Sequence, residues 1–357
     1  MSTIVIRDYQ SQDAPGVALL QNDVDSELQL SSEQFLSEWG WFGHSNPAGP
    51  PKALVATDAK GTIVAHEAVV PFMATKDGRP LVAGLPCQLV VTRSLRNTPL
   101  FLQLEMQLLS QYQQAGIDFV CGPVRDHVLR AHLVMGFRAV GSLPVYARPY
   151  RLSRLARHYL GRGVQYAAVK TLLRLAELPL QFFPHRRSRG INVVPVETFD
   201  TRTAAEIEHL CSQLGLHALR TAAVLNWRFF QCPDRSYLVF VARNAGQCLG
   251  YVALRRMPMH EFDTLAIVDL VFPSARPDVG RALLAAVHDR AVGMQVDLAV
   301  CMFNANSPLI PVLRRCGFLR TSEAFTIIVH QPKDASFRVD METLKNWHYT
   351  WFEHDYV

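Results

Sequence analysis

The chain has 357 residues, of which 49% are hydrophobic and 19% charged, with a formal net charge of +5. That length predicts two domains, each able to bury a core. The sequence holds no run of eighteen apolar residues that could span a bilayer. Its first residues hold no basic stretch leading into an apolar one, so no secretory leader is expected. Seven cysteines without a Cys-x-x-Cys pair argue against a disulfide framework and against a zinc site, and predict buried thiols in a reducing cytoplasm.

Residues 3–8 read as a first strand, with Ile4 and Ile6 alternating with polar neighbours. A helix follows over 12–21, with Ser11 or Asp13 as its cap. A second helix start at Ser31–Gln34 leads to Trp39, Trp41 and Phe42, a cluster that can pack a core or floor a cleft. A Pro/Gly/Asn loop spans 44–51 and includes His44. Two β-rich runs, 54–57 and 62–70, flank a turn that ends in Gly61, which is a hairpin pattern. Another turn lies at 76–79.

Next comes a unit that occurs twice. In its first copy, Leu89–Val91 is strand-like and Thr92–Thr98 is a polar turn before Pro99. Phe101, Leu104, Leu108 and Tyr112 form a helical stripe closed by Gly116. A strand at 117–121 and a helix at 125–135 follow, then Gly136-Phe137 and a last strand. In the second copy, Ile267–Phe272 is a strand, 273–278 a turn, and Val279, Leu283, Ala286, Val287 and Ala291 a helical stripe. A strand at 296–302 and a helix at 304–315 lead to Gly317-Phe318. Arg96 and Arg276 stand 180 positions apart, and Gly136 and Gly317 stand 181 apart, so the unit reads as an internal duplication. The parts before it also repeat: a strand at 193–196, a helix at 204–214, an aromatic stretch at 225–230 and a hairpin over 237–255.

Between the copies, residues 151–190 hold nine Arg or Lys and one acid, Glu177. The basic set runs from Arg151, Arg154, Arg157 and Arg162 through Lys170 and Arg174 to Arg186, Arg187 and Arg189. Leu152, Leu155, Tyr159, Val169, Leu172, Leu173 and Ala176 give this connector an apolar side. Such a helical segment can pack its apolar stripe on the domains, or lie on an anionic membrane surface. No aromatic-interleaved or helix-turn-helix pattern accompanies the charge, so nucleic acid is not expected. In the tail, His348, His354 and Asp355 match no metal-ligand spacing, and no metal is expected.

The order strand–turn–helix–strand–helix–Gly-Phe–strand, found twice, resembles the GNAT acyltransferase superfamily. The resemblance implies an α+β fold: two tandem domains, residues 1–150 and 191–340, each a mixed, mostly antiparallel sheet flanked by helices. Residues 151–190 would be the connector and 341–357 a tail. It further implies acyl transfer from acetyl-CoA or another acyl-CoA to an amine or hydroxyl acceptor, such as a small molecule or a glycan or lipid precursor. In that family the strand–turn–helix joint grips a pyrophosphate through Arg/Gln-x-x-Gly-x-Gly/Ala. Here the matching residues are Val90 and Val91 on the strand, then Arg96, Asn97, Thr98, Pro99, Leu100 and Phe101. Pro99 and Phe101 stand at the glycine positions; the first removes an amide donor and the second adds bulk. Thr98 as N-cap and Pro99 as first helical residue make an ordinary helix start.

The second copy has Asp278 in its loop and Gly280 out of frame by one, so copy one is the expected acyl-CoA site. The family's proton donor falls on His132 in copy one and on Leu313 in copy two. Glu67, beside His66, is the expected base. Asp269 is the equivalent acid of copy two, expected either with a raised pKa or hydrogen-bonded in a degenerate domain. The loss of both glycines also fits a catalytically inactive tandem protein that binds or scaffolds, and transfer from an aminoacyl-tRNA is a further enzymatic reading.

Overall fold

The computed structural model describes residues 4–24, 31–43, 45–160, 164–181, 190–332, 339 and 347–353. His44, Arg162, Arg186, Arg187, Arg189, His354 and Asp355 lie outside the described residues. Two compact units emerge. One is Met1–Gly141 with Gln231–Asp234 and Phe325–Leu344; the other is Ser142–Phe230 with Arg235–Ala324 and Lys345–Val357.

The elements of the first part of the chain are β1 (Val5–Asp8), α1 (Ala14–Val24), α2 (Ser32–Gly43), β2 (Lys52–Thr57), β3 (Ile63–Lys76), β4 (Arg79–Val91), α3 (Leu100–Gln111), β5 (Phe119–Val124), α4 (Asp126–Val134) and β6 (Arg138–Pro149). Next come α5 (Leu152–Leu160), α6 (Val164–Glu177), β7 (Asn192–Val196), α7 (Thr201–Cys211), β8 (His217–Ala218) and α8 (Ala222–Phe230). The remainder is β9 (Leu238–Asn244), β10 (Gln247–Met259), β11 (Phe262–Val271), α9 (Pro277–Gly293), β12 (Leu298–Met302), α10 (Ile310–Arg315) and β13 (Leu319–His330).

The first unit is a mixed sheet in the order β1-β2-β3-β4-β5-β13. All its neighbours run antiparallel except β4 and β5. Its last strand is Thr326–His330, which pairs with Val120–Val124. Strand alternation splits the core into two layers. Leu54 and Ala56 join Leu104, Leu108 and Tyr112 of the α3 side, while Val55 joins Ala14, Val17 and Phe35 of the α1–α2 side.

In the second unit the order is β6-β12-β11-β10-β9-β7, and only β11 and β12 run parallel. The expected stripe of α9 is there: Val279, Leu283, Val287 and Ala291 are buried in one cluster with Phe272 and Leu313. Both units are therefore α+β, with mixed, mostly antiparallel sheets and helices packed on them.

The two Gly-Phe pairs have one physical cause. Gly136 and Gly317 adopt φ 94° and 85°, a left-handed conformation in which a side chain is strained. That turn lets the Phe137 amide reach back to the His132 carbonyl at 3.1 Å, and the Phe318 amide to that of Leu313 at 3.1 Å. Both phenylalanines are then driven into the core.

Several boundaries depart from expectation. The strand read at 89–91 is the end of a 13-residue strand, β4, whose pattern is interrupted by Pro80, Gly84 and Pro86. The helix expected over 304–315 is confined to Ile310–Arg315, because Pro308 and Pro311 defer its start. The helix expected over 204–214 starts at Thr201, where Asp200 accepts from the Thr203 amide at 2.7 Å. All seven cysteines are buried.

Candidate active site

In the first unit β4 and β5 pair only at Ala83↔Phe119 and Gly84↔Val120. Beyond that point they part. β4 stays with β3 as far as Val91, while β5 stays with β13. At the apex the Pro86 ring lies where a Cβ on Gly122 would meet it at 3.4 Å. A register shift follows between His66 and Ala68, and Gln88 takes φ 52°. This bulge re-aims β4 and leaves a wedge between Cys87–Val91 and Cys121–Val124.

The wedge leads to the turn before α3. Arg93, Ser94, Arg96, Asn97, Thr98 and Pro99 are exposed. The Thr98 hydroxyl donates to the Leu95 carbonyl at 2.7 Å and takes a long 3.4 Å bond from the Leu100 amide. The helix proper starts at Leu100, so Pro99 flanks it rather than opening it, and Thr98 is a weak cap. The first bond back from α3 runs from Gln103 to the Pro99 carbonyl, so the amides ahead of it point out of the helix end. The Phe101 ring meets the His132 ring edge-on with centroids 5.8 Å apart. The bulk expected in the phosphate path is thus turned onto α4.

The structure brings Glu67 and His132 together through a third residue, Glu105 of α3. Glu67 is 1% exposed and Glu105 2%. Burial pushes the Glu67 carboxyl well up, and the neighbouring Glu105 adds to this. Glu105 is raised too, by burial, against the pull of His132 and of the Glu67 hydrogen bond. Such a pair shares one proton. His132 donates from Nδ1 to the Val128 carbonyl at 2.9 Å, and its Nε2 lies 3.6 Å from Glu105 Oε2. Glu67 occupies the β3 position opposite the β4 bulge. Sequence reading missed Glu105, although it falls on the Phe101–Leu108–Tyr112 face of its helix.

On the opposite face of β3, His66 hydrogen-bonds through Nδ1 to the Gln88 carbonyl at 3.2 Å. Tyr9, Phe35 and Trp39 surround its ring. Burial lowers its pKa to about 4, so the imidazole is neutral. Trp41 and Phe42 are core residues, their rings tilted by 40° with centroids 4.8 Å apart. A cleft of about 440 Å³ opens between α1 and the start of β3, touching Thr92, but it is lined by Asp13 and Asp23 and suits no phosphate.

The corresponding places of copy two are filled. Arg276 binds Asp278 of its own loop at 2.8 Å. A Cβ on Gly280 would sit 2.4 Å from the Phe272 ring, so that glycine serves aromatic packing. β11 and β12 pair from Thr264 to Ile267, and Asp269 follows. There Asp269 takes bonds from Arg220 at 2.9 Å, from Thr350 at 3.1 Å and from the Tyr251 hydroxyl, and meets His348 at 3.3 Å. Arg220 also reaches Glu353 at 3.3 Å. Of the two expectations for Asp269, the hydrogen-bonded one is found and the raised pKa is not. Burial alone would raise it, but Arg220 and His348 pull it below the usual carboxylate range. Leu313 is a core residue.

No protein-family model matches this sequence, and no curated protein matches it significantly. Solved structures do. Saccharomyces cerevisiae N-myristoyltransferase with bound myristoyl-CoA superposes with TM-score 0.63 at 11% identity, over 92% of this chain and 80% of that one. A tandem GNAT protein from the clavulanic acid biosynthesis pathway gives TM-score 0.61 at 13% identity, over 93% of this chain and 100% of that one. A GCN5-related N-acetyltransferase from Kribbella flavida gives TM-score 0.55 at 12% identity, over 92% of this chain and 71% of that one. These likenesses show the fold: a GNAT sheet built twice.

Proposed function

We propose that the first unit binds an acyl-CoA in the β4–β5 wedge and transfers its acyl group to an amine or hydroxyl acceptor. The carrying observation is the contrast between the copies. In copy one β4 and β5 lose their pairing beyond Gly84↔Val120 and the helix start is exposed, while in copy two the same places hold Arg220, Asp269, Phe272 and tail residues. N-myristoyltransferase structures with bound myristoyl-CoA among the structural neighbours support this reading.

On this reading the pantetheine arm runs beside Val90 and Val91. The pyrophosphate meets Arg96 and the turn Asn97–Phe101 at the positive end of α3. The bound thioester supplies the activated carbonyl. The acceptor nitrogen or oxygen attacks it, the C–S bond breaks, and the acceptor's proton must leave as the thiolate gains one. Glu67, Glu105 and His132 form a buried proton store opposite the bulge: Glu67, the proposed base, takes the acceptor's proton after passing its own to Glu105, and His132 is the proposed acid. Pro99, which removes an amide donor at the helix start, favours a second reading, a catalytically inactive binding or scaffolding module.

Thermal shift and calorimetry with acetyl-CoA and longer acyl-CoAs test the first step. The melting temperature rises with ligand concentration if the wedge is a site. Arg96→Glu weakens binding about tenfold by placing like charge beside the phosphates. Binding without turnover on amine or hydroxyl acceptors, or no acyl-CoA binding at all, selects the inactive reading and removes the first.

A further inference from the structure

The second helix of the connector is turned the wrong way for a packed helix. Leu172 and Leu175 of α6 and Leu178 just past its end, spaced three apart, are 67%, 59% and 53% exposed. That spacing puts them on one stripe. The opposite side carries the half-buried Leu173, Lys170 and Glu177. Glu177, the sole acid of 151–190, is directed inward and accepts from the Ser153 amide at 2.6 Å. Arg151 and Arg154 at the start of α5 lie 3.8 and 3.6 Å from the buried Asp297, which ties the helix pair to its unit. The pair is therefore anchored by its polar side and presents leucines to solvent, with exposed Arg174 beside them.

We propose that this stripe is a docking surface for an anionic lipid bilayer, independently of the catalytic reading. Charge complementarity selects the occupant. Nine basic residues against one acid give the connector a strong positive field, which a leaflet bearing phosphatidylglycerol or a similar lipid attracts. A second copy of the chain would bring two such fields together. A nucleic acid would satisfy the arginines but leave the leucines wet. A bilayer interface takes both, with leucines among the acyl chains and guanidinium groups at the headgroups. Among the described residues no helix is long and apolar enough to cross a membrane, so the contact is peripheral.

The test is co-sedimentation of the full chain with phosphatidylcholine vesicles, with and without phosphatidylglycerol, at low and high salt. About tenfold more protein sediments with the anionic vesicles, and salt reverses this. Leu172→Asp/Leu175→Asp/Leu178→Asp abolishes the difference while the melting temperature stays at the wild-type value. An environment-sensitive dye on Leu175→Cys, introduced beside seven buried native thiols, shifts to the blue on vesicle addition. Absence of anionic-vesicle binding, binding that survives the triple substitution, an unmoved dye, or a wild-type dimer that the triple substitution dissociates overturns the proposal.

Discussion

Glu67 and Glu105 face each other in a core where neither can ionise cheaply, and this makes the first unit sensitive to alkali. Both pKa values are raised in the folded state, so the folded chain holds a proton more tightly than the unfolded one. The stabilisation is full below the ordinary carboxylate range and is lost as pH climbs through the raised values. Melting curves between about pH 5 and 9 are expected to fall on the alkaline side, and Glu67→Gln, which keeps a hydrogen-bonding group without a titrating one, flattens that fall. An unchanged slope in the variant would show that the pair does not govern it. Glu67 and His132 could be picked from the sequence because a family pattern pointed at them. Glu105 could be found only by asking which face of α3 it shares, and Arg220 could not be found at all. Its partners Asp269 and Glu353 are 49 and 133 residues away, a separation that no local pattern encodes.

At the scale of elements, the loops between strand and helix separate the two copies. The sequence puts Gly280 one position out of frame for a phosphate loop. The structure gives it to Phe272, whose ring takes the space a side chain would need. Gly280→Ala is therefore expected to destabilise the protein by about 1–3 kcal/mol, read from denaturant midpoints, with no effect on acyl-CoA binding. Helix stripes and Gly-Phe closures were legible because periodicity and a left-handed turn are local. The lengths of β3 and β4 were not, because Pro71, Pro80 and Pro86 break the alternation that would announce one long pair, which tertiary pairing nonetheless holds together.

Across the whole chain, the described part of the tail, 347–353, belongs to the second unit's interior. Trp347, His348, Thr350 and Glu353 are buried, and His348 and Glu353 share the Arg220–Asp269 centre. Glu353 is pushed up to about 7 by burial, with Arg220 opposing and Asp269 adding, so near neutrality Arg220 faces one full and one partial negative charge. Ending the chain before Trp347 removes that balance and uncovers apolar core. The cost is expected to be about 3–5 kcal/mol, the penalty of breaking a buried ion pair, and chemical denaturation of the shortened chain measures it.

The strand that completes the first sheet, Thr326–His330, sits more than 200 positions after β5, its partner. More than 200 residues therefore leave the ribosome after β5 before that pairing can form. Until then the edge of β5 carries unpaired backbone groups that another nascent polypeptide can pair with.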